Sequence, residues 1–286
     1  MSNDFDLQLP AGRLRARRHG SASAPLVLCV PGLSANLTSY DRLGETLAND
    51  RLQLVALDLR GRGCSEVTPP GTYGWHRHAQ DVFDAATALG ARRFTLIGHS
   101  MGGAIAKAAA HQHAARLERV VLLDHCGIPE ASSLGAIAAS VSRLGTVYES
   151  AEAYLAMVRG LGVIQPWSEH WERYFRYELR EVDGGVASRT DRAAVFEDGA
   201  FGGGCYAFGR DATVYRLWHA LTMPALLLRA AREILPGLGY IVSADDAARF
   251  ERELPAARVR AVDANHYTVI TSDESAAAIA EFLSET

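Results

Sequence analysis

The chain has 286 residues, of which 48% are hydrophobic and 22% are charged, a balance typical of a soluble globular domain. Its formal net charge of -4 at pH 7 gives no electrostatic reason to expect binding to nucleic acid or to an anionic membrane. No apolar run approaches the roughly 20 residues of a spanning helix, and no secretory signal is visible. These features predict a cytoplasmic protein that binds neither nucleic acid nor a membrane.

The spacing of cysteine and histidine residues argues against a disulfide framework and against a metal site. The four cysteines are far apart and include no C-x-x-C pair. His76 and His78, like His111 and His113, stand two residues apart. On a helix such pairs point to different faces and do not easily hold one ion. We therefore expect no metal ion.

The N-terminal part of the chain predicts a β-hairpin followed by two buried strands. Residues 5–18 alternate apolar and polar side chains around a Pro-Ala-Gly turn, as the strands of a hairpin do. Residues 26–30 and 52–57 are continuous apolar runs, which indicates strands that are buried on both faces. The first of these runs is followed by Pro31, Gly32 and Leu33.

A strand, a tight turn and a helix are predicted in the middle of the chain. The apolar run 94–97 leads into a G-x-S-x-G motif formed by Gly98, Ser100 and Gly102, and a helical pattern covers 104–115. At so sharp a turn the serine hydroxyl projects from the edge of the sheet. Side chains two positions before and after the serine would clash, and glycine at both positions avoids this clash. The N–H groups and positive dipole end of the helix point at any oxyanion formed there. The pattern predicts that Ser100 is a nucleophile.

Three later strands also end in residues that carry chemistry. The apolar run 120–123 is followed directly by Asp124. Because the carboxyl ends of parallel strands face the crevice where α/β sheets bind ligands, this aspartate is a candidate member of a catalytic site. The strand pattern resumes at 225–228, with Glu233 in the loop that follows, and His266 comes directly after a last strand at 259–262.

Residues 128–221 differ in character from the segments on either side. Their pattern is mainly helical, with helices predicted over 140–161 and 167–181, and groups of two or three glycines interrupt it. The segment is rich in aromatic residues, which either line a pocket or pack as core. The candidates for pocket lining are Trp167, Trp171, Tyr174 and Tyr177.

The G-x-S-x-G turn, the glycine loop after the first buried strand and the histidine after the last strand resemble the α/β-hydrolase superfamily. The resemblance covers nearly the whole chain. It implies an α/β-hydrolase fold, in which helices flank a mostly parallel central sheet and a helical cap is inserted after the sixth core strand. The core would comprise residues 1–127 and 222–286, and the cap residues 128–221.

The resemblance also implies roles for individual residues. His266 would be the general base that deprotonates Ser100, which fits the serine, acid and histidine order of the superfamily. The backbone N–H groups of Leu33 and Met101 would form the oxyanion hole. Two neighbouring positions, Gly32 and His99, are further candidates for substrate binding.

The acid of the triad stays open between two residues. The superfamily usually places it in the loop after strand 225–228, where Glu233 is the only carboxylate. Some members use an acid after the preceding core strand, which here is Asp124. We prefer Asp124, because it already sits at a strand end and does not need a longer side chain to fold back. Glu233 is the alternative.

The implied activity is that of a serine hydrolase that works through a covalent acyl-enzyme and needs no cofactor. We expect a carboxylesterase of class EC 3.1.1, acting on small to medium apolar ester substrates, because esters need the least leaving-group help. Lactonase, thioesterase, amidase and C–C bond hydrolase activities on the same triad stay open, as does a ligand receptor on the same scaffold. The chain is expected to be a monomer or a homodimer.

Overall fold

The structure, a computed structural model, describes residues 3–285 apart from 208, 210 and 211. Its strands are β1 (Asn3–Leu9), β2 (Gly12–His19), β3 (Leu26–Val30), β4 (Gln53–Leu57), β5 (Phe94–His99), β6 (Leu117–Leu123), β7 (Val147–Tyr148), β8 (Leu179–Val182), β9 (Gly185–Ser188), β10 (Ala225–Ala230) and β11 (Ala257–Val262). Its α-helices are α1 (Asp41–Leu47), α2 (Trp75–Ala88), α3 (Met101–His113), α4 (Leu134–Ser142), α5 (Ala151–Gly160), α6 (Glu169–Tyr177), α7 (Arg192–Tyr206), α8 (Thr213–Trp218), α9 (Ala244–Glu253) and α10 (Asp273–Ser284).

Eight of these strands form the central sheet, in the order β1-β2-β4-β3-β5-β6-β10-β11. The first hairpin is antiparallel and pairs antiparallel with β4, whereas all pairs from β4 to β11 are parallel. Strands β3, β4 and β5 are buried at every position, which explains their continuous apolar sequences. The predicted α/β-hydrolase fold, with a mostly parallel sheet flanked by helices, is confirmed.

The segment between β6 and β10 contains a small sheet that the sequence pattern did not reveal. The predicted helix 140–161 is divided into α4 and α5, with β7 between them, and the predicted helix 167–181 ends at Tyr177, before β8. Strands β7, β9 and β8 form an antiparallel three-stranded sheet, and Gly184 and Gly185 turn the hairpin with positive φ angles of 85° and 142°. These strands have only two to four residues, which is too short for an alternating pattern to stand out.

None of the described residues in 128–221 belongs to a strand of the central sheet. The segment leaves the sheet after β6 and returns to it at β10. One of its contacts with the rest of the chain is the hydroxyl of Tyr177, which donates to Oδ2 of Asp58 at 2.7 Å. We propose that 128–221 form the cap and that 1–127 and 222–286 form the core.

Two further kinds of feature are absent from the described residues. Their helices include none that is both long enough and apolar enough to cross a bilayer. Nowhere do three or more of their His, Cys, Asp or Glu side chains come together as the ligands of a metal ion would. The four cysteines are free thiols, three of them buried. The expectation that the protein binds no metal and no membrane stays a prediction.

Candidate active site

Ser100 occupies the turn between β5 and α3 in a strained backbone conformation. Its φ of 54° and ψ of -121° lie in a region that side chains other than glycine rarely adopt. The flanking glycines are sterically required. A Cβ atom at Gly98 would lie 2.1 Å from the carbonyl oxygen of Gly102, and a Cβ atom at Gly102 would lie 2.0 Å from that of Val30. The motif therefore folds into the strand, turn and helix that the sequence predicts.

Three side chains that are far apart in the sequence meet at this turn. Nε2 of His266 lies 3.0 Å from Oγ of Ser100, and Nδ1 of His266 lies 2.8 Å from Oδ2 of Asp124. When Nδ1 donates its hydrogen to the carboxylate, Nε2 is left bare and can accept the proton of the serine. This arrangement is able to activate Ser100 as a nucleophile.

The carboxylate of Asp124 is held on both of its oxygens. Asp124 is 1% exposed, and its Oδ1 accepts the backbone N–H of Ala230 at 2.9 Å while Oδ2 faces His266. Its own N–H donates to the carbonyl of Leu228 at 2.8 Å. Its φ is 48°, a left-handed conformation that aspartate tolerates better than most residues. These bonds fix the carboxylate at the end of β6, pointing toward the imidazole.

Glu233, the alternative acid, makes its hydrogen bond elsewhere. Its Oε2 accepts the backbone N–H of Gly237 at 2.8 Å, within the loop that follows β10. The strand before that loop serves the site in another way, because the N–H of Ala230 at the end of β10 holds Asp124. Of the two acids considered, the structure brings Asp124 to His266.

Two backbone donors are available beside the nucleophile. The N–H groups of Leu33 and Met101 donate to no other group in the part of the chain that the structure describes. Met101 is the first residue of α3, so its N–H has no acceptor within the helix. The loop that carries Leu33 lies against Ser100, since a Cβ atom at Gly32 would be 3.6 Å from the serine Oγ. A role of both donors in an oxyanion hole stays a prediction.

His99 packs against the imidazole of His266 and holds its backbone. Its Nε2 donates to the backbone carbonyl of His266 at 2.8 Å, and the two ring centroids are 4.8 Å apart. Burial, together with the charge of His266, lowers the pKa of His99 to about 3, so that the ring is neutral. His99 also lines the cavity described next. A contact between His99 and substrate stays a prediction.

A cavity of about 480 Å³ opens in front of Ser100. Its lining is largely apolar and comes from both the core and the proposed cap. Among the core residues are Gly32, Leu33, His99, Met101 and His266, and among the cap residues are Leu134, Ile137, Val141, Gly203 and Tyr206. A larger groove of about 700 Å³, which contains Arg15 and Arg180, includes none of the triad residues, so the chemistry points to the smaller cavity.

The four cap aromatic residues that were candidates for pocket lining lie elsewhere. None of them is among the described residues around the cavity. Trp171 and Tyr174 are buried with their rings 5.4 Å apart, and Trp167 stacks on Phe175 at 5.6 Å. Tyr177 hydrogen-bonds to a core carboxylate. The aromatic residues of α6 are therefore used for packing within the cap and for contact with the core, away from this cavity.

Other cavity residues were not recognised from the sequence. Trp75 from α2 and Tyr206 from α7 line the cavity with their ring centroids 5.6 Å apart, and His125 lies beside them. Gly202 and Gly203 give α7 a face without side chains on the cavity side. The sequence signal that could have pointed to this part of the cavity wall was the glycine triplet 202–204. It lies inside α7, whereas we expected it to interrupt a helix.

A family model described as the alpha/beta hydrolase fold matches residues 25–273. The chain belongs to the α/β-hydrolase family. Over 127 residues the chain is 35% identical to a serine hydrolase-like protein of Danio rerio, a match that covers 44% of the chain and only 39% of that relative.

A second match extends along most of the chain. It is 26% identical over 263 residues to the 2-(acetamidomethylene)succinate hydrolase of Mesorhizobium japonicum, which covers 92% of the chain and 89% of that protein. A crystal structure of E-2-(acetamidomethylene)succinate hydrolase has a TM-score of 0.86 and 25% identity, with 100% of each chain covered. These comparisons support the fold and a hydrolase activity.

Proposed function

We propose that this hydrolase cleaves carboxylic esters through an acyl-enzyme on Ser100. The observation that carries the proposal is the chain of two hydrogen bonds, 3.0 and 2.8 Å long, from Ser100 through His266 to Asp124. His266 takes the serine proton as Oγ attacks the ester carbonyl. The N–H groups of Leu33 and Met101 stabilise the tetrahedral oxyanion, and His266 then protonates the leaving alcohol.

Water completes the proposed reaction by the same steps in reverse. His266 removes a proton from water, the hydroxide attacks the acyl carbonyl, and Ser100 leaves with the proton that His266 returns. Asp124 stays ionised throughout and stabilises the imidazolium. Loss of one oxyanion donor would raise the barrier by about 3 kcal/mol. The proposed sequence uses no cofactor.

The cavity favours an uncharged substrate. None of its described lining residues is lysine or arginine, and one of them is the acidic Asp198. Asp198 already lies 2.7 Å from Arg62 and 2.9 Å from Nε2 of His78. A substrate carboxylate would lose its hydration there without gaining a cationic partner. We therefore propose small to medium esters whose acyl and alcohol parts are uncharged.

Hydrolysis of an uncharged amide is the second candidate. The relative that matches most of the chain is named as a hydrolase of 2-(acetamidomethylene)succinate, an acetamido compound with two carboxylates. The lack of lysine and arginine among the described cavity residues does not favour that dianion in this chain. The same triad can still attack an amide carbonyl. An ester ranks first because an alkoxide leaves more readily than an amide nitrogen.

The test compares p-nitrophenyl acetate, butyrate and hexanoate as substrates of the wild type and of Ser100→Ala. We expect the wild type to release a burst of p-nitrophenol equal to the enzyme concentration and then to turn over steadily. Ser100→Ala should lose at least about 10⁴-fold in kcat. Ser142→Ala is the matched control, because that hydroxyl bonds to the carbonyl of Ala139 at 2.7 Å outside the cavity.

Two further measurements separate the alternatives. Mass spectrometry of the quenched wild type should find the acyl group on the peptide that contains Ser100. Anilides of the same acids test the second candidate, which replaces the ester proposal if they are hydrolysed faster than the esters. A folded wild type that binds these compounds without turning over any of them would favour the receptor instead.

A further inference from the structure

His125 forms part of the cavity wall immediately after the carboxylate of the triad. It is 2% exposed, and its ring meets that of Trp75 edge to face at 6.2 Å. A Cβ atom at Gly103 would lie 2.8 Å from the Cβ of His125, so the side chain packs directly against the first turn of α3. These contacts on two sides fix the position of the ring.

The imidazole of His125 has no hydrogen-bond partner in the described part of the chain. Its Nε2 is fully buried without a partner, and no bond to Nδ1 is found either. Buried polar side-chain atoms are nearly always hydrogen-bonded, because leaving one unpaired forfeits its hydration. Because Nδ1, unlike Nε2, is not fully buried and the ring borders the cavity, a molecule bound there can provide a partner for this nitrogen.

The charge state of His125 limits what this partner can be. Burial, and to a smaller extent the nearby Lys107 and His266, lowers the pKa of His125 well below its ordinary range. The ring is therefore neutral at physiological pH and carries one N–H donor and one bare nitrogen acceptor. It cannot form an ion pair with an anionic group, but it can exchange a hydrogen bond with an uncharged one.

We propose that His125 is a specificity-determining residue that hydrogen-bonds an uncharged oxygen function of the substrate, a hydroxyl, ether or ketone outside the scissile ester. This inference rests on the proposed esterase function and narrows its substrate class. The rings of Trp75 and Tyr206 pack around the carbon skeleton beside it. A purely hydrocarbon acyl chain would leave the imidazole unpaired, and a carboxylate would meet no positive charge there.

The test uses substrates that differ at one position only. p-Nitrophenyl hexanoate is compared with esters of the same length in which successive methylenes are replaced by an ether oxygen, a carbinol or a ketone. In the wild type, kcat/KM should be at least about 10-fold higher for one oxygen-bearing ester than for its hydrocarbon analogue. His125→Phe should abolish that preference, and His125→Asn, which keeps a donor and an acceptor, should retain part of it.

A structural role for His125 predicts a different result. If the ring only packs the wall, His125→Phe would change kcat/KM for all esters by the same factor and leave their ratio unchanged. That outcome, or the absence of any preference in the wild type, would overturn the inference. His111→Phe, which alters an exposed histidine in the last turn of α3, is the control and should leave both activity and preference as in the wild type.

Binding measurements separate this inference from the proposed function. Calorimetry with Ser100→Ala compares hexanamide with 5-oxohexanamide and with the isomers that move the ketone along the chain. One ketone should bind at least about 10-fold more tightly than hexanamide, and adding His125→Phe should remove the difference. If no ester is hydrolysed but this preference is seen, the esterase proposal fails and the role of His125 stands. Equal affinities would reject it.

Discussion

The backbone N–H of Ala230 donates to Oδ1 of Asp124 at 2.9 Å, although the two residues are 106 positions apart in the chain. The bond joins the ends of β6 and β10, which pair in parallel in the central sheet. It leaves Oδ2 free to face His266. Strand β10, after which the resemblance to the superfamily implied an acid, instead provides the N–H donor that holds the acid at the end of β6.

Removing the charge of Asp124 should disable the site. We expect Asp124→Asn to lower kcat by about 10⁴-fold, because the amide no longer stabilises the imidazolium or holds the required tautomer. Glu233→Gln, the matched control, should stay within about twofold of the wild type, since a partly exposed loop residue away from the triad contributes little. Ester hydrolysis by both variants, with folding checked by circular dichroism, provides the measurement. A collapse of activity in Glu233→Gln alone would assign the acid to the loop after β10.

Filling the cavity from α7 should shorten the acyl chain that the hydrolase accepts. A Cβ atom at Gly203 would meet no atom within 4 Å, and this residue lines the cavity, so Gly203→Leu places its side chain in the space for substrate. We expect kcat/KM for p-nitrophenyl hexanoate to fall at least about 10-fold relative to the acetate, a pocket effect of a few kcal/mol at most.

The neighbouring glycine offers a control for this experiment. A Cβ atom at Gly204 also meets nothing within 4 Å, but Gly204 is not among the described residues of the cavity wall. Both substitutions replace a helical glycine and should raise stability by up to about 1 kcal/mol. Gly204→Leu should therefore keep the hexanoate to acetate ratio of the wild type. An equal loss in both variants would mean that α7, rather than cavity volume, was disturbed.

Lys107 should make stability depend on pH above neutrality. It is the one lysine of the sequence and is fully buried, and its Nζ donates to the carbonyls of Cys126 and Val214. Burial lowers its pKa from 10.5 to about 7. Between these values the unfolded chain binds a proton that the folded chain does not. The free energy of unfolding therefore rises with pH in this window, by up to about 1.4 kcal/mol per unit from this group.

Replacing Lys107 with methionine should remove this contribution. In urea titrations, the unfolding free energy of the wild type should rise relative to that of Lys107→Met as pH rises from 7.5 to 9.5. Because a single lysine is present, ¹³C labelling of lysine gives one side-chain resonance, whose titration should have its midpoint near the lowered pKa. The prediction would be contradicted if the unfolding free energies of the two proteins changed with pH by the same amount, or if the resonance titrated at the ordinary pKa of lysine.

The turn at Ser100 could be predicted from sequence because its determinants are local. The continuous apolar run of β5, the two glycines and the following helical pattern lie within a few residues of each other. Each glycine is demanded by a close backbone contact, near 2 Å for a hypothetical Cβ atom. Such short-range steric requirements leave a readable pattern. His266 could be proposed because its loop follows the last strand.

The cap was less predictable because its strands and ring contacts depend on packing. Strand β7 is two residues long and pairs with β9, whose sequence lies about 40 positions away. The aromatic rings of α6 have a helical spacing that suits either a pocket or a core. In the structure, Trp171 and Tyr174 are buried away from the cavity. Its wall is instead formed in part by Trp75, His125 and the glycine face of α7.

By itself, the sequence determined the class of the fold, the nucleophile turn and the order of the chemistry-bearing residues, since apolar periodicity and glycine spacing act over short distances. Only the tertiary structure decided between Asp124 and Glu233 as the neighbour of His266. The sequence favoured Asp124 for its position at a strand end but left Glu233 open. What separates them is the hydrogen bond between Asp124 and His266, 142 positions apart in the chain. This bond depends on the order of β6, β10 and β11 in the sheet, because His266 follows β11.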